Sequence, residues 1–340
     1  MIFMPLIDEA DTLLDANLMA DLSLNFSVDN GLIIDTNGKS WVRWRSDGID
    51  SWWRFFEETI DKPMGRRLAN AACDEEENLL SAGYLDKTGI FKKKKILQAI
   101  ENRWWLHGWG RPNLKPPSFQ SNVLTPIISG ILQAQIERID GKRYRMRWEQ
   151  KSSDSCILSL EDSNQSIPQS NSVGKIYSTS SPYSIDVESD WKIDGLSHHL
   201  LPAGLFIRLQ ESCAGLIANI GEDERNSWPV LGDGFLSLAI ASKKLFIAGE
   251  EIFLAADADG WMESCNTLLA PKGLSSPVEV KSIDSNGGVS MKFTELPLPA
   301  ITTGFIAGAW VRCEGRPVKV GLEMGDDFIE ITLQSRYEIS

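Results

Sequence analysis

Histidine and paired cysteine are scarce in this chain: three histidines and five cysteines in 340 residues. His107, His198 and His199 match no H-E-x-x-H or mixed His/Cys metal spacing. Cys73, Cys156, Cys213, Cys265 and Cys313 are far apart, odd in number and contain no C-x-x-C pair. That pattern predicts free thiols in a reducing, cytoplasmic setting, with no bound metal or other cofactor. Long apolar runs are also missing, so no membrane span is expected. The opening MIFMPLIDEADTLL meets Asp8 and Glu9 before any long apolar stretch, which argues against a secretory leader. There is no phosphate-binding G-x-x-x-x-G-K-[ST] loop, no G-x-G-x-x-G after a strand and no G-x-S-x-G elbow. Nothing supplies the minimum set for acid-base or nucleophilic catalysis.

Positive charge is in short supply too. Lys and Arg number 34 against 47 Asp and Glu, a net charge of −13, which disfavours bulk binding to nucleic acid or to an anionic membrane but leaves room for a local basic face. The deficit is uneven. Residues 1–160 hold 21 basic and 22 acidic side chains, and the remaining 13 and 25 fall in residues 161–340. Within residues 62–151 the balance reverses, with 17 basic against 9 acidic. A hydrophobic content of 42% with 24% charged residues is that of a globular protein and excludes disordered, collagenous and coiled-coil classes.

What the chain has in excess is tryptophan, 12 residues against 5 tyrosines. Trp52, Trp53, Phe56, Trp104, Trp105, Trp109 and Trp261 fall on or near predicted helices. Trp53, Phe56, Trp104, His107 and Trp109 are the candidate lining of an aromatic pocket for a flat hydrophobic ligand, or else core packing. The carboxylate run Asp74 to Glu77 is read as a solvated helix face, and His198-His199 as a solvated turn.

The segment GLIIDTNGKSWVRW reads as a hairpin turning at Asn37-Gly38. SWWRFFEETI, GRRLANAACDEEENLLSAG and KKKKILQAIENRWWLHGWG read as three helices, the last stopping at Gly108, with its true start expected before the four lysines. TPIISGILQAQIERI is a fourth helix leading through Asp140-Gly141 into KRYRMRW, where Arg143, Arg145 and Arg147 share one strand face and Tyr144, Met146 and Trp148 the other. Those three arginines, with Lys93 and Lys94, form a candidate docking surface for a protein partner.

Self-comparison reveals a repeat. Residues 125–150 align without gaps on 299–324, placing Ile127 on Ile301, Gly130 on Gly304, Arg138 on Arg312, Gly141 on Gly315 and Glu149 on Glu323. SCILSLEDS and DFIEITLQS match as closing strands, and Gly108-Trp109 is placed opposite Gly260-Trp261.

The second copy, GFIAGAWVRCEGRPVKVGLEMGDDFIEITL, resembles the C-terminal signature of 4-vinyl-reductase domains, in which a G-[FY]-x-x-G helix runs into a GRPV turn and two strands. LHGWG resembles the GWG turn of the same family. The resemblance covers about 60 residues at the end of each half. It implies a fold shared with subunits of the transport protein particle and with haem-NO-binding-associated domains, a pocket between helices and sheet that holds a small hydrophobic ligand or nothing, and dimerisation. Sensor members of that family hold zinc through cysteines; here Ile127 or Ile128 and Ala300 or Ile301 stand at the pre-helix position, and only Cys156 follows the first strand glutamate. Neither half is expected to bind zinc.

The expectation is therefore an α+β protein of two similar domains, each an antiparallel sheet with helices on one side, joined as an intramolecular pseudo-dimer. The expected division is an extension over 1–30, a first domain over 31–162, a Ser-rich linker over 163–185 and a second domain over 186–340. The expected function is non-catalytic, either binding of a small hydrophobic ligand or interaction with a protein partner. The alternative is an accessory or enzymatic role in tetrapyrrole or pigment vinyl-group metabolism.

Overall fold

The computed structural model describes residues 13–167, 171–325 and 327–337. The leader reading therefore lies outside the described residues. A short helix α1 (Ala16–Asn25), capped by the Asp15 carboxylate, which accepts from Leu18 N, leads into β1 (Phe26–Asp29), β2 (Leu32–Asp35) and β3 (Ser40–Arg45). β1 and β2 join through Asn30-Gly31, both at positive φ, the two-residue turn that suits the strand twist. Gly38, at φ +77°, makes the turn expected at Asn37-Gly38. Helices α2 (Ser46–Ile60), α3 (Gly65–Leu80) and α4 (Lys92–His107) follow, then the hairpin β4 (Arg111–Leu114) and β5 (Pro117–Gln120), helix α5 (Thr125–Asp140), and strands β6 (Tyr144–Gln150) and β7 (Ser155–Asp162).

The same order then recurs. After the two-residue β8 (Ser181–Pro182) come β9 (Lys192–Ile193), β10 (Leu196–Pro202), α6 (Ala203–Ser212), a single turn α7 (Glu222–Arg225), α8 (Asp233–Ala248) and α9 (Ala258–Leu269). The hairpin β11 (Glu279–Ser282) and β12 (Val289–Phe293), helix α10 (Pro299–Glu314), β13 (Val318–Met324) and β14 (Ile329–Ser335) complete it. The fold is α+β with antiparallel sheets packed by helices, as expected. Two four-stranded sheets have the same order, β4-β5-β7-β6 and β11-β12-β14-β13. The boundaries 125–140 and 144–150 reappear at 299–314 and 318–324, the spacing found by self-comparison, and α5 and α10 both end on a left-handed glycine, Gly141 and Gly315.

The two halves are joined by more than a surface contact. A third sheet, β8-β1-β2-β3-β10-β9, passes from one half to the other where β3 pairs antiparallel with β10, His199 opposite Trp44. Helices cross that seam reciprocally, α2 packing on α8 and α6 on α3. Trp52 of α2 donates from Nε1 to Ser242 Oγ of α8 at 2.9 Å, and its ring lies against Phe206 of α6. Apolar side chains at helical spacing on α2, Ile49, Trp52, Phe56 and Ile60, fill this crossing and form part of one core continuous through both halves.

Several elements differ from the sequence reading. Residues 16–29, assigned to an extension, carry α1 and the first strand of the shared sheet, with Leu18, Leu22 and Phe26 buried. Within the stretch read as linker, Ser181 and Pro182 pair with β1 and Tyr183 is buried. Helix α4 does begin at the lysines, Lys92 being its first residue. Gly260 lies in the first turn of α9, whereas Gly108 caps the end of α4, so the two Gly-Trp pairs are not equivalent. The counterpart of Gly108 is Gly273: both have positive φ, and the residue after each donates to a carbonyl five positions back, Trp109 N to Trp104 O at 2.9 Å and Leu274 N to Leu269 O at 3.1 Å.

Candidate functional site

The aromatic candidates divide into two clusters, both inside the core. Trp53 and Phe56 stack on one another in α2, with ring centroids 5.2 Å apart. Trp104, His107 and Trp109 belong to the other face of the shared sheet, where the His107 ring lies 4.5 Å from Trp41 and 4.6 Å from Trp109. All five are buried. Burial, aided by the nearby Arg103 charge, holds the His107 imidazole well below the ordinary 6.5, so it is neutral. With a proton on Nδ1, the ring donates to Arg103 O at 2.7 Å.

Beneath this cluster lies a network that the sequence reading missed. Glu75, Glu76 and Glu77, read as a solvated run, are buried, and each meets an arginine from a different helix. Arg208 of α6 donates from Nε to Glu75 at 2.8 Å. Arg103 of α4 grips Glu76 with two bonds of 2.8 and 2.7 Å, and Arg138 of α5 reaches Glu77 at 3.2 Å. Gln135 donates to Glu76 at 2.8 Å while accepting from Trp104 Nε1 at 2.9 Å. Consecutive helical positions fan out by about 100°, which is why three neighbours address three helices. Burial still pushes the Glu75 and Glu77 carboxyls up, against the pull of their arginines.

His199 is likewise no solvated turn. It sits in the centre of β10, fully buried, and burial, then the neighbouring His198, depress its pKa to about 3. His198 is partly exposed, and burial lowers its pKa too.

A groove of about 710 Å³ opens beside the buried aromatic cluster, along the seam of the halves. Trp105 and Gly108 from the end of α4, Arg111 of β4 and Ser46 at the start of α2 line it from the first half; Trp191 and His198 face them from the second. Trp104 reaches its floor, and Asp154, Asp190 and Lys192 add charges of both signs at the rim. The wall at Trp191 is under backbone strain. Asp190 and Trp191 are consecutive non-glycine residues at φ +58°, a conformation that bulky side chains avoid at a cost of about 1–3 kcal/mol each. Trp191 is pinned there by donation from Nε1 to Trp105 O at 2.9 Å, and by Gly108, where a Cβ would stand 2.7 Å from the Trp191 ring. Only glycine fits Gly108 on two counts, since its φ is also +72°.

The halves also touch where the chain after α9 lies directly on the β1–β2 turn. Ser276 N donates to Asn30 O and Asn30 Nδ2 donates to Ser276 O, both at 3.0 Å.

The basic candidates fall on different elements. Lys93 and Lys94 project from the first turn of α4. Arg143 folds back onto the buried Glu137 at 2.8 Å, Arg147 faces Glu161 at 3.9 Å, and Arg145 is exposed on β6. Among the described residues, no group of three or more His, Cys, Asp or Glu side chains is placed to share a metal ion, and no helix is long and apolar enough to cross a membrane. No family model, no curated protein and no solved structure matches the chain.

Proposed function

We propose that this chain is a non-catalytic binding protein, acting in the cytoplasm, whose ligand is a small amphipathic molecule with a flat aromatic or conjugated face. The ligand site is the seam groove, which Trp104 lines; the other aromatic candidates named from the sequence, Trp53, Phe56, His107 and Trp109, are packed in two core clusters outside its lining. The observation that carries this reading is the strained Asp190-Trp191 pair forming a groove wall. Backbone strain of that kind persists where surrounding contacts over-determine it, and it concentrates at ligand sites.

The volume falls in the range of about 300–1,000 Å³ usual for small-molecule sites. Trp105 and His198 offer ring surface, and the surrounding serine, arginine and aspartate groups would orient polar substituents. The resemblance of residues 304–333 to 4-vinyl-reductase domains supports the same class, since that family is expected to hold a small ligand beside its helices and sheet.

The test is native mass spectrometry of the full chain purified from its own host, compared with Trp105→Ala. Trp105 is 37% exposed, so this variant should stay folded, and its melt is recorded alongside. The reading expects a small-molecule adduct on the unaltered chain that the variant loses. An empty unaltered chain, or an adduct that survives in Trp105→Ala, overturns it.

A further inference from the structure

The segment joining α3 to α4 ends in a tip whose composition runs against the rest of the surface. Ile90 and Phe91 stand in solvent at 95% and 67% exposure, immediately before the exposed Lys92, Lys93, Lys94 and Lys95. Glycine turns at Gly83, φ +88°, and Gly89, φ +93°, direct the chain out and back. Hydrogen bonds from Lys92 N to Gly89 O at 3.1 Å and from Lys95 N to Phe91 O at 3.0 Å tie the tip to the helix. The two apolar side chains are thus displayed on ordered backbone.

Two costs accumulate here, and among the described residues the return to the lysine side chains is one bond, from Lys95 Nζ to Thr88 O at 3.3 Å. Four cations occupy the first turn of a helix, where the backbone dipole is itself positive, and none of them forms an ion pair among the described residues. Ile90 and Phe91 leave most of two large apolar side chains in water. A partner that supplies negative charge and an apolar interior together would relieve both.

We propose that this tip docks the protein on an anionic lipid surface, with Ile90 and Phe91 entering the headgroup–acyl boundary and Lys92 to Lys95 neutralising lipid phosphates and carboxylates around them. Geometry favours a bilayer over a folded acidic partner. Four successive residues of a helix point around almost its whole circumference, so one flat protein face could meet only some of them. A fluid surface meeting the tip end-on can collect headgroups beneath all four. The net charge of −13 does not oppose this, because screening confines electrostatics to about 8 Å at physiological salt.

Co-sedimentation of the full chain with vesicles tests the proposal. Vesicles of phosphatidylcholine and phosphatidylserine in equal parts should bind it, pure phosphatidylcholine should not, and added salt should weaken the binding. Lys93→Gln with Lys94→Gln should reduce binding about thirtyfold, as expected for two juxtamembrane lysines. The same positions changed to arginine should retain it. Phe91→Ser with Ile90→Ser should reduce binding about tenfold or more while the lysines remain. All four side chains are exposed, so each variant should melt like the parent, and the melt is recorded alongside. Equal binding to both vesicle types, no binding to either, or retention by a nucleic acid or acidic-protein column in place of the anionic vesicles overturns the proposal.

Discussion

Gly130 of α5 lies on the backbone of Ala69 in α3: a Cβ on that glycine would stand 2.9 Å from Cys73 N and closer still to Ala69 O. Gly304 of α10 bears the same relation to Ala239 of α8, with the Ser242 Cβ 2.6 Å away. In both halves, then, the helix pair that backs the four-stranded sheet meets at backbone contact through a glycine, and the two glycines are the pair aligned by the repeat.

This contact makes glycine identity measurable. Gly130→Ala and Gly304→Ala should each destabilise by about 1–3 kcal/mol, because the added methyl forces two backbones apart by more than the helix-propensity gain of about 1 kcal/mol returns. Gly48, in the first turns of α2, has only the Arg45 Cβ at 3.7 Å. Gly48→Ala should therefore stabilise by about 0.5–1 kcal/mol. Urea unfolding of the three variants reads opposite signs, and a loss at Gly48 or a gain at Gly130 would refute the packing argument.

The buried glutamates predict a second asymmetry. Arg103→Met leaves Glu76 in a dry site with only Gln135 to stabilise its charge, which should cost about 3–5 kcal/mol. Arg103→Met combined with Glu76→Gln removes the stranded charge and should recover most of that loss. Chemical denaturation of the parent, the single variant and the double variant decides the matter. A double variant no more stable than the single would mean that the pair is held for packing and not for charge compensation.

Much of this architecture was legible because it repeats. The α5–β6–β7 and α10–β13–β14 units carry the same punctuation, Gly130 with Gly304 and Gly141 with Gly315, so local rules applied twice agree. The glutamate network was not legible, because its arginines lie 27, 61 and 133 positions from their partners and no local periodicity reports them. His199 was misread for a related reason: its burial comes from pairing with β3 of the other half. The groove was half visible. Trp105 and Gly108 stand in a conspicuous helix stop, but the wall that faces them, at Trp191, follows an unremarkable Ser-rich stretch. The signal that would have located it is Asp194-Gly195, a two-residue turn like Asn30-Gly31, which marks β9 and β10 as a hairpin.

His199 gives a pH dependence with a definite sign. Burial lowers its pKa from 6.5 to about 3, so between those values the unfolded chain takes up a proton that the folded chain refuses. Stability from this group is complete above 6.5 and falls as the pH drops towards 3, with a loss of about 2 kcal/mol at about pH 5. The buried His107 acts in the same direction. His199→Leu should flatten the stability profile between about pH 5 and pH 7 relative to the parent. An unaltered slope would show that His199 takes up its proton in the fold as readily as in the unfolded chain.

The reciprocal packing of α2 on α8 and α6 on α3 bears on whether either half can stand alone. Residues 1–165 produced separately would expose the side of α2 that holds Trp52 against Ser242, and the β3 edge that pairs with β10. Residues 186–340 would expose the corresponding surfaces of α8 and β10. Each fragment alone should show no cooperative melt and should aggregate through its open strand edge. Co-expressed, the two should purify together as one particle, because the missing surfaces are then supplied in trans by the same antiparallel strand pair and the same helix crossings. Size-exclusion chromatography and thermal melts of each fragment and of the pair distinguish the outcomes. Two independently folded fragments that ignore one another at micromolar concentration would exclude a shared core and leave the seam as a mere contact between finished domains.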